Sequence, residues 1–348
     1  MIMTKDETGD VQRSPLKLLF IDTFLLGDLI YLGAMIGALR DQMPNIKMDL
    51  LASDATVGFP FLNRFNVDVH HFSFPWNRIG WHRRPIYFAH TLFELRKEFK
   101  GKFQDYVVID SRGDFRHDII SSLLKPRKSL RYYSGAKKKE SWRGVLPKHP
   151  FICRQHFAYQ IAEEFEMVTK PKLQWPWLAD FKQKDSCNRV LLAPEASNGF
   201  RYWDSAKWKS VSRLLQRDGF IVTLIVHHGN AIRDVCAKDF NDIWRGSIIE
   251  LANLIGGSRA VIGVDSFVGH LAAAIGTPVV SLFGPQLPAL WKPWGKNNVT
   301  VSKPFDCRPC SQKKCEYLDR SENNCMSAIQ VEDVMYAFSN IQGSEKVD

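Results

Sequence analysis

Short apolar runs alternate with longer amphipathic stretches along most of the chain. Apolar runs rich in β-branched residues are typical of buried strands, whereas apolar residues that recur at a period of 3.6 indicate helices. In the first half, strands are predicted at 16–22, 48–53, 67–74 and 106–110, and helices at 29–43, 54–65 and 86–102. This alternation predicts a parallel sheet with helices on both faces.

The alternation lapses over 125–150 and over the Pro- and Trp-rich stretch 170–181, and it then restarts. In the second half, strands are predicted within 189–197, at 220–229, at 261–264 and at 278–283, and helices at 205–219, 230–240, 247–259, 268–275 and 330–341. The predicted fold class is therefore α/β, with two Rossmann-like domains whose parallel sheets face each other across a cleft.

The lapses and the end of the second pattern divide the chain into four parts. We expect a polar leader at 1–15, a first domain at 16–175, a second domain at 176–325, and a closing helix with a tail at 326–348. The second domain includes a Cys-rich loop at 307–325. A length of 348 residues gives each domain enough chain to bury a core.

Mean hydropathy is −0.22, and no apolar run has the length that a membrane-spanning helix requires. The first residues, MIMTKDETGDVQRSP, lack the apolar core of a signal peptide. We therefore expect a cytoplasmic protein.

The net charge of +10 is concentrated in the first half, where residues 1–150 hold 24 Lys and Arg against 16 Asp and Glu. The excess is densest over 112–148, which contains KPRKSLRYYSGAKKKESWRG. Such a segment attracts polyanions, namely nucleic acid, anionic lipid head groups or a phosphorylated substrate. The alternative is a solvated loop without a partner.

Four of the seven cysteines lie close together near the C-terminus, at Cys307, Cys310, Cys315 and Cys325. Without an export signal, structural disulfides are not expected. A C-x2-C pair followed by two further cysteines can hold zinc or iron, although the second pair lacks the spacing of a zinc ribbon. Reduced thiols in a compact loop are the alternative.

The stretch VIGVDSFVGHLAAAIGTPVVSLF, residues 261–283, predicts a strand, a helix and a second strand. Asp265 and Ser266 fall where the first strand ends and the helix begins, which is where parallel α/β sheets bind ligands. They could instead cap the helix, but capping alone does not explain His270 one turn further on. A carboxylate here suits sugar hydroxyls better than a phosphate.

Three other strand ends carry candidate chemistry. Gly27 permits a tight turn, and the Asp28 carboxylate that follows could accept a proton from a hydroxyl, or merely favour a helix start. In PEASNGFRYWDSAKW, residues 194–208, Ser197 and Arg201 offer a hydroxyl and a guanidinium to a phosphate. Gly284 turns the chain at LFGP. Neither G-x-G-x-x-G nor G-x-x-x-x-G-K-[ST] is present, which argues against dehydrogenases and P-loop enzymes.

Four motifs together, GDLIYLGAMIGALR, PEASNGFRYWDSAKW, GVDSFVGHLAAAIGTPVVSLFGP and CRPCSQKKC...NNCM, resemble the bacterial heptosyltransferases. These inverting glycosyltransferases extend the inner core of lipopolysaccharide, and the resemblance runs from about residue 16 to residue 338. It implies a GT-B fold, a nucleotide-activated sugar such as ADP-heptose bound by the second domain, and an anionic lipid-linked acceptor bound by the first. It implies neither a cofactor nor a catalytic metal.

Carried over residue by residue, the resemblance makes Asp28 the expected general base and Gly27 an acceptor neighbour. It assigns the donor to seven residues: Ser197, Arg201, Asp265, Ser266, Phe267, His270 and Gly284. Arg201 and Ser197 would contact the donor phosphates, and His270 matches the family histidine.

The sequence also departs from the family pattern. Phe267 replaces a glycine after Asp-Ser, Leu32-Gly33-Ala34 replace Thr-x-Pro, and Asp22 with the following apolar residues occupies a loop that often carries a basic residue. These changes indicate a divergent member of the family with its own donor or acceptor.

The basic residues of the first half are our candidates for binding acceptor phosphates or carboxylates, namely Arg78, Arg83, Arg84, Arg112 and Arg116. We expect peripheral contact with the anionic inner face of the cytoplasmic membrane and no nucleic acid partner. The alternatives are a glycosyltransferase or epimerase for another nucleotide sugar, a basic nucleic-acid-binding protein, and a non-catalytic sugar-nucleotide sensor.

Overall fold

The chain divides into two compact units, residues 1–174 and 175–348. The structure, a computed structural model, describes residues 2–5, 11–74, 76, 85–132, 149–183, 187–227, 237–308, 310, 315 and 324–343. Within these ranges no helix is both long and apolar enough to cross a membrane.

The first unit holds a five-stranded parallel sheet and a separate two-stranded antiparallel ladder. Its strands are β1 (Ile2–Lys5), β2 (Val11–Ser14), β3 (Lys17–Asp22), β4 (Lys47–Ser53), β5 (Val67–Phe72), β6 (Val107–Asp110) and β7 (Lys128–Arg131). Its helices are α1 (Leu26–Gln42), α2 (Pro85–Glu98), α3 (Phe115–Leu124) and α4 (Pro150–Glu164). The strand order of the sheet is β5-β4-β3-β6-β7.

The second unit holds a six-stranded parallel sheet in the order β10-β9-β8-β11-β12-β13. Its strands are β8 (Cys187–Ala193), β9 (Ile221–Ile225), β10 (Asp242–Trp244), β11 (Ser258–Val264), β12 (Val279–Phe283) and β13 (Asn298–Ser302). Its helices are α5 (Ser205–Arg217), α6 (Ile248–Gly256), α7 (Phe267–Ile275), α8 (Pro288–Trp291) and α9 (Val331–Gly343). Two parallel-sheet α/β units confirm the predicted fold class.

In both sheets the order in which successive strands are added reverses beside the first central strand. The reversal lies between β3 and β6 in the first unit and between β8 and β11 in the second. At such a reversal the loops after the two strands diverge and leave a crevice at the carboxyl edge of the sheet. Central strands are covered on both faces, which is why β3, β6, β8 and β11 each contain a buried apolar run, namely LLFI, VVI, VLLA and AVIGV. The fold therefore places the residues that follow these four strands where ligands bind.

Three predictions about individual elements differ from the structure. The helix predicted at 54–65 is wrong: two short 3-10 turns, Asp54–Thr56 and Phe61–Phe65, are separated by Gly58 at φ +87° and by Pro60. The lapse over 125–150 contains strand β7, and the polar leader contains the β1–β2 ladder. Most of the helix predicted at 230–240 lies outside the described residues.

Candidate functional site

Asp28 lies in the first turn of α1, just beyond the end of β3. Its carboxylate Oδ1 accepts a hydrogen bond from Nη1 of Arg112 at 2.7 Å. Arg112 follows β6, so the two residues come from the two strands that flank the reversal of the first sheet. Their side chains are 16% and 12% exposed, which leaves the pair accessible from the crevice. The structure thus joins the predicted base to one predicted acceptor-binding residue.

The ring of Phe24 supports two arginines of this crevice. The guanidinium carbon of Arg112 lies 3.5 Å from the ring centroid and that of Arg116 lies 4.5 Å from it. Arg116 also binds Asp114 through two hydrogen bonds of 2.8 and 2.6 Å. Burial opposes the ionisation of Asp114, but the hydrogen bond and charge of Arg116 outweigh it and lower the pKa to about 2. Two predicted acceptor-binding arginines are therefore held on one aromatic ring.

A layer of buried charges lies beneath this pair. His117 Nδ1 is 2.7 Å from Asp110 Oδ1, and its Nε2 is 3.1 Å from the hydroxyl of Thr23. Burial favours the neutral ring, but the charge and hydrogen bond of Asp110 raise the pKa of His117. Asp22 is 2% exposed, and burial together with the charge of Asp28 raises its pKa to about 6. The positive charges of Arg154, Arg112 and His117 offset part of that rise.

The raised pKa of Asp22 predicts how stability changes with pH. The contribution of such a group is fully present below its unfolded pKa near 3.8 and is lost as the pH rises through about 6. We expect Asp22 to lower the free energy of unfolding by at most about 3 kcal/mol between about pH 4 and pH 7. Asp22→Asn should flatten that fall, which urea unfolding over this pH range measures.

Asp41→Asn is the matched control, because Asp41 is exposed at the C-terminal end of α1. It should leave the pH profile of stability unchanged. Parallel profiles for the wild type and Asp22→Asn would contradict the assignment.

The second crevice lies at the ends of β8 and β11. The loop after β8 leads through a 3-10 turn, Gly199–Arg201, and the guanidinium of Arg201 reaches the residue that follows β11. Arg201 Nη1 donates to the backbone carbonyl oxygen of Asp265 at 3.2 Å and lies 3.3 Å from its carboxylate Oδ2. Burial raises the pKa of Asp265, and the charge of Arg201 opposes that rise. Two predicted donor-binding residues are thus in contact.

Helix α7 starts immediately after this pair. Ser266 occupies its N-cap position but makes no capping hydrogen bond with its side chain, and its buried hydroxyl has no hydrogen-bond partner among the described residues. The Ser266 side chain therefore does not cap α7, and the N-terminus of a helix is a place where phosphate can bind. The interpretation of Ser266 as a capping residue is not supported.

The remaining predicted donor residues surround these three. Phe267 is half-buried in the first turn of α7, and His270 is 8% exposed one turn later. Ser197 is exposed in the loop after β8. A Cβ at Gly284 would lie 2.4 Å from Met326 Sδ, so a larger residue there would require the Met326 side chain to move.

The four C-terminal cysteines line one cavity of about 120 Å³ beside the Gly199–Arg201 turn. Among the described residues, none of these four cysteines forms a disulfide. Burial, with the neighbouring thiols, raises the pKa of Cys325 to about 11. Across the described parts of the chain, no group of three or more His, Cys, Asp or Glu side chains is arranged to hold a metal ion.

A family model matches the part of the chain that contains most of the strands and helices described above. The model of glycosyltransferase family 9 (heptosyltransferase) matches residues 93–320, well over half of the chain. The chain belongs to glycosyltransferase family 9. The match includes Arg112, Arg201 and Asp265, whereas Asp28 lies before it.

Curated relatives of this heptosyltransferase family align over different lengths. Lipopolysaccharide heptosyltransferase 1 of Pseudomonas aeruginosa is 30% identical over 128 residues, which are 35% of this chain and 36% of that protein. The chain thus spans about a third of that relative. Lipopolysaccharide heptosyltransferase 1 of Salmonella typhimurium is 24% identical over 304 residues, which are 83% of this chain and 95% of that protein.

A solved structure of the heptosyltransferase family shares the fold. The E. coli heptosyltransferase WaaC, solved with ADP, superposes with a TM-score of 0.66 at 17% identity, over 94% of this chain and 100% of that one. The predicted GT-B fold class is therefore confirmed.

Some predicted residues are not placed, and other residues were not predicted. Arg78, Arg83 and Arg84 lie outside the described residues. Phe24 and Arg154 were missed, because an aromatic residue in a turn and an arginine in a helix have no spacing that marks a site. A weak signal existed for Arg154, which interrupts the otherwise apolar beginning of α4 in PFICRQHFA.

Proposed function

We propose that this family 9 member is an inverting glycosyltransferase that moves heptose from ADP-heptose to an anionic acceptor of the lipopolysaccharide inner core. The observation that carries the proposal is the contact of Arg201 with Asp265 at the uncapped start of α7. A guanidinium and a helix N-terminus favour a diphosphate, and a carboxylate favours sugar hydroxyls. In a second structure, E. coli WaaC holds ADP-2-deoxy-2-fluoro heptose, which supports an ADP-linked donor.

The proposed reaction is a single displacement. The acceptor hydroxyl oxygen attacks the anomeric carbon of the donor while Asp28 takes its proton. The bond between that carbon and the diphosphate oxygen breaks, and ADP leaves with the electron pair. Arg201 and the α7 amides stabilise the negative charge that develops on the leaving group, so the proposal requires no metal ion. Attack opposite the leaving group inverts the anomeric carbon.

We place the acceptor at the crevice of the first unit. Arg112 and Arg116 lie there on the Phe24 ring, and the excess positive charge of residues 1–150 favours an anionic partner. The same charge supports peripheral contact with the anionic inner face of the cytoplasmic membrane. The proposal requires the acceptor hydroxyl at Asp28 to meet the donor sugar at Asp265.

The donor is tested by thermal unfolding with a panel of ADP-, UDP-, GDP- and CMP-sugars. ADP-heptose should raise the Tm of the wild type, and Arg201→Ala and Asp265→Ala should each weaken binding by about 10-fold or more. Arg213→Ala is the matched control, because this arginine of α5 is 70% exposed, and it should keep the full shift.

Two outcomes would contradict this assignment of the donor. A Tm shift with another nucleotide sugar would show that the donor is not ADP-heptose. Phe267 would then be the first residue to exchange for glycine. No shift with any member of the panel would overturn nucleotide-sugar binding and favour a binding protein of another class.

A further inference from the structure

Arg154 enters the buried layer beneath Asp28 from helix α4. Its side chain is fully buried, and Nη2 lies 3.7 Å from Asp22 Oδ2 and 3.9 Å from Asp28 Oδ1. None of its three guanidinium nitrogens has a hydrogen-bond partner among the described residues. A buried cation without hydrogen bonds is strongly destabilising unless nearby opposite charges compensate it.

Another arginine of the same unit shows what a structural role looks like. Arg40 of α1 donates five hydrogen bonds to backbone carbonyls, at Phe65, Met43, Pro44, Ile46 and Asn66. These bonds tie the end of the helix to the loops beside it. Arg154 makes no such bond to any part of the chain that the structure describes, so its compensation there is electrostatic and comes from two carboxylates.

Asp22 and Asp28 form a like-charge pair that shares Arg154. Two neighbouring carboxylates compete for one proton unless positive charge separates them. Other charged groups also face the pair. Arg112 forms an ion pair with Asp28, and the charges of Arg112 and His117 both act on Asp22. His117 in turn contacts Asp110. Arg112 is also the residue that an anionic acceptor would engage, whereas Arg154 is out of reach of any ligand.

We propose that Arg154 is the positioning residue of the reaction, because it neutralises Asp22 and so reserves the incoming proton for Asp28. This inference rests on the proposed function, in which Asp28 is the general base. Arg154 touches no substrate. It acts through the charge balance of a triad that consists of the buried Asp22 and Arg154 and the partly exposed Asp28.

The triad is tested by the pH dependence of kcat for transfer from ADP-heptose. Asp22→Asn removes the competing carboxylate and should move the acid limb to lower pH by about one unit. Arg154→Met removes the neutralising charge and should move it to higher pH by about one unit or more. The double variant restores the net charge of the cluster, so its limb should return to the wild-type position.

Two controls separate positioning from a structural role. Arg154→Lys keeps the charge and should restore the wild-type limb. Arg40→Met should lower the Tm without moving the limb. If Arg154→Met does not fold, the proposal is tested by Asp22→Asn, whose acid limb should move, and by Arg154→Lys, whose acid limb should not. An unshifted limb in Asp22→Asn, or a double-variant limb that stays away from the wild-type position, would overturn the proposal.

Failure of the proposed function is recognised separately. If the wild type transfers nothing from ADP-heptose, the donor assignment fails, and the triad is tested by urea unfolding at several pH values. Arg154→Met, or Arg154→Lys if only that variant folds, is then compared with the wild type and with the double variant that also carries Asp22→Asn. A steeper loss of stability with rising pH in Arg154→Met, cancelled by Asp22→Asn, would support the triad. Equal slopes would overturn it.

Discussion

Asp28→Asn should lower kcat by about 10²- to 10⁴-fold, because asparagine keeps the size of the side chain but cannot take the proton of the acceptor hydroxyl. The KM for the donor should change little, since the proposed donor site, at Arg201 and Asp265, lies in the second unit. The measurement is ADP release that depends on the acceptor, together with product formation.

Asp41→Asn serves as the control on the same helix. Asp41 is exposed at the far end of α1, so its variant should keep the wild-type kcat. Near-normal transfer by Asp28→Asn would remove Asp28 from the role of base, and the inference about Arg154 would fall with it.

The largest expected effect on stability comes from adding one methyl group at Gly256, the last residue of α6. A Cβ there would lie 1.8 Å from the backbone carbonyl oxygen of Phe181, and backbone has no rotamer with which to move away. Either the helix end or the 3-10 turn Ala179–Phe181 must shift. We expect Gly256→Ala to lower the free energy of unfolding by about 3–5 kcal/mol, measured by urea unfolding.

Gly199→Ala is the matched substitution in the same unit. A Cβ at Gly199 would meet only the Tyr202 ring at 3.9 Å, an ordinary contact, and the backbone there needs no positive φ. Its free energy of unfolding should change by about 1 kcal/mol or less. Equal effects of the two substitutions would show that the chain at Phe181 yields easily.

Much of the fold was predictable because its central strands are buried on both faces. Strands β3, β6, β11 and β12 are mostly apolar, and the patterns between them have a helical period. Peripheral strands are not buried on both faces, so an apolar run does not predict them. The β7 segment, KSLR, and the β13 segment, NVTVS, are partly exposed and short, so their sequences resemble loops.

The predictability of the site had a similar limit. Asp28, Arg201 and Asp265 were found because they follow strands, and strand ends are where α/β folds collect ligands. Their pairing with Arg112 and with each other needed the structure. Arg154 and Phe24 depend on packing between distant segments, for which one sequence holds no signal. The burial of Asp22 at the end of β3 could be expected, but its partner in α4 could not.

The stacking of Arg112 and Arg116 on Phe24 has an entropic consequence. A free arginine side chain loses up to about 2 kcal/mol of rotational freedom when a ligand immobilises it. Here the Phe24 ring, together with the carboxylates of Asp28 and Asp114, already restricts both side chains before any ligand binds. An anion that fits the fixed spacing of the two guanidinium groups therefore binds at little further entropic loss. An anion of another shape must move a guanidinium group off the ring. Stacking on Phe24 therefore makes this positively charged surface selective for the shape of the anion.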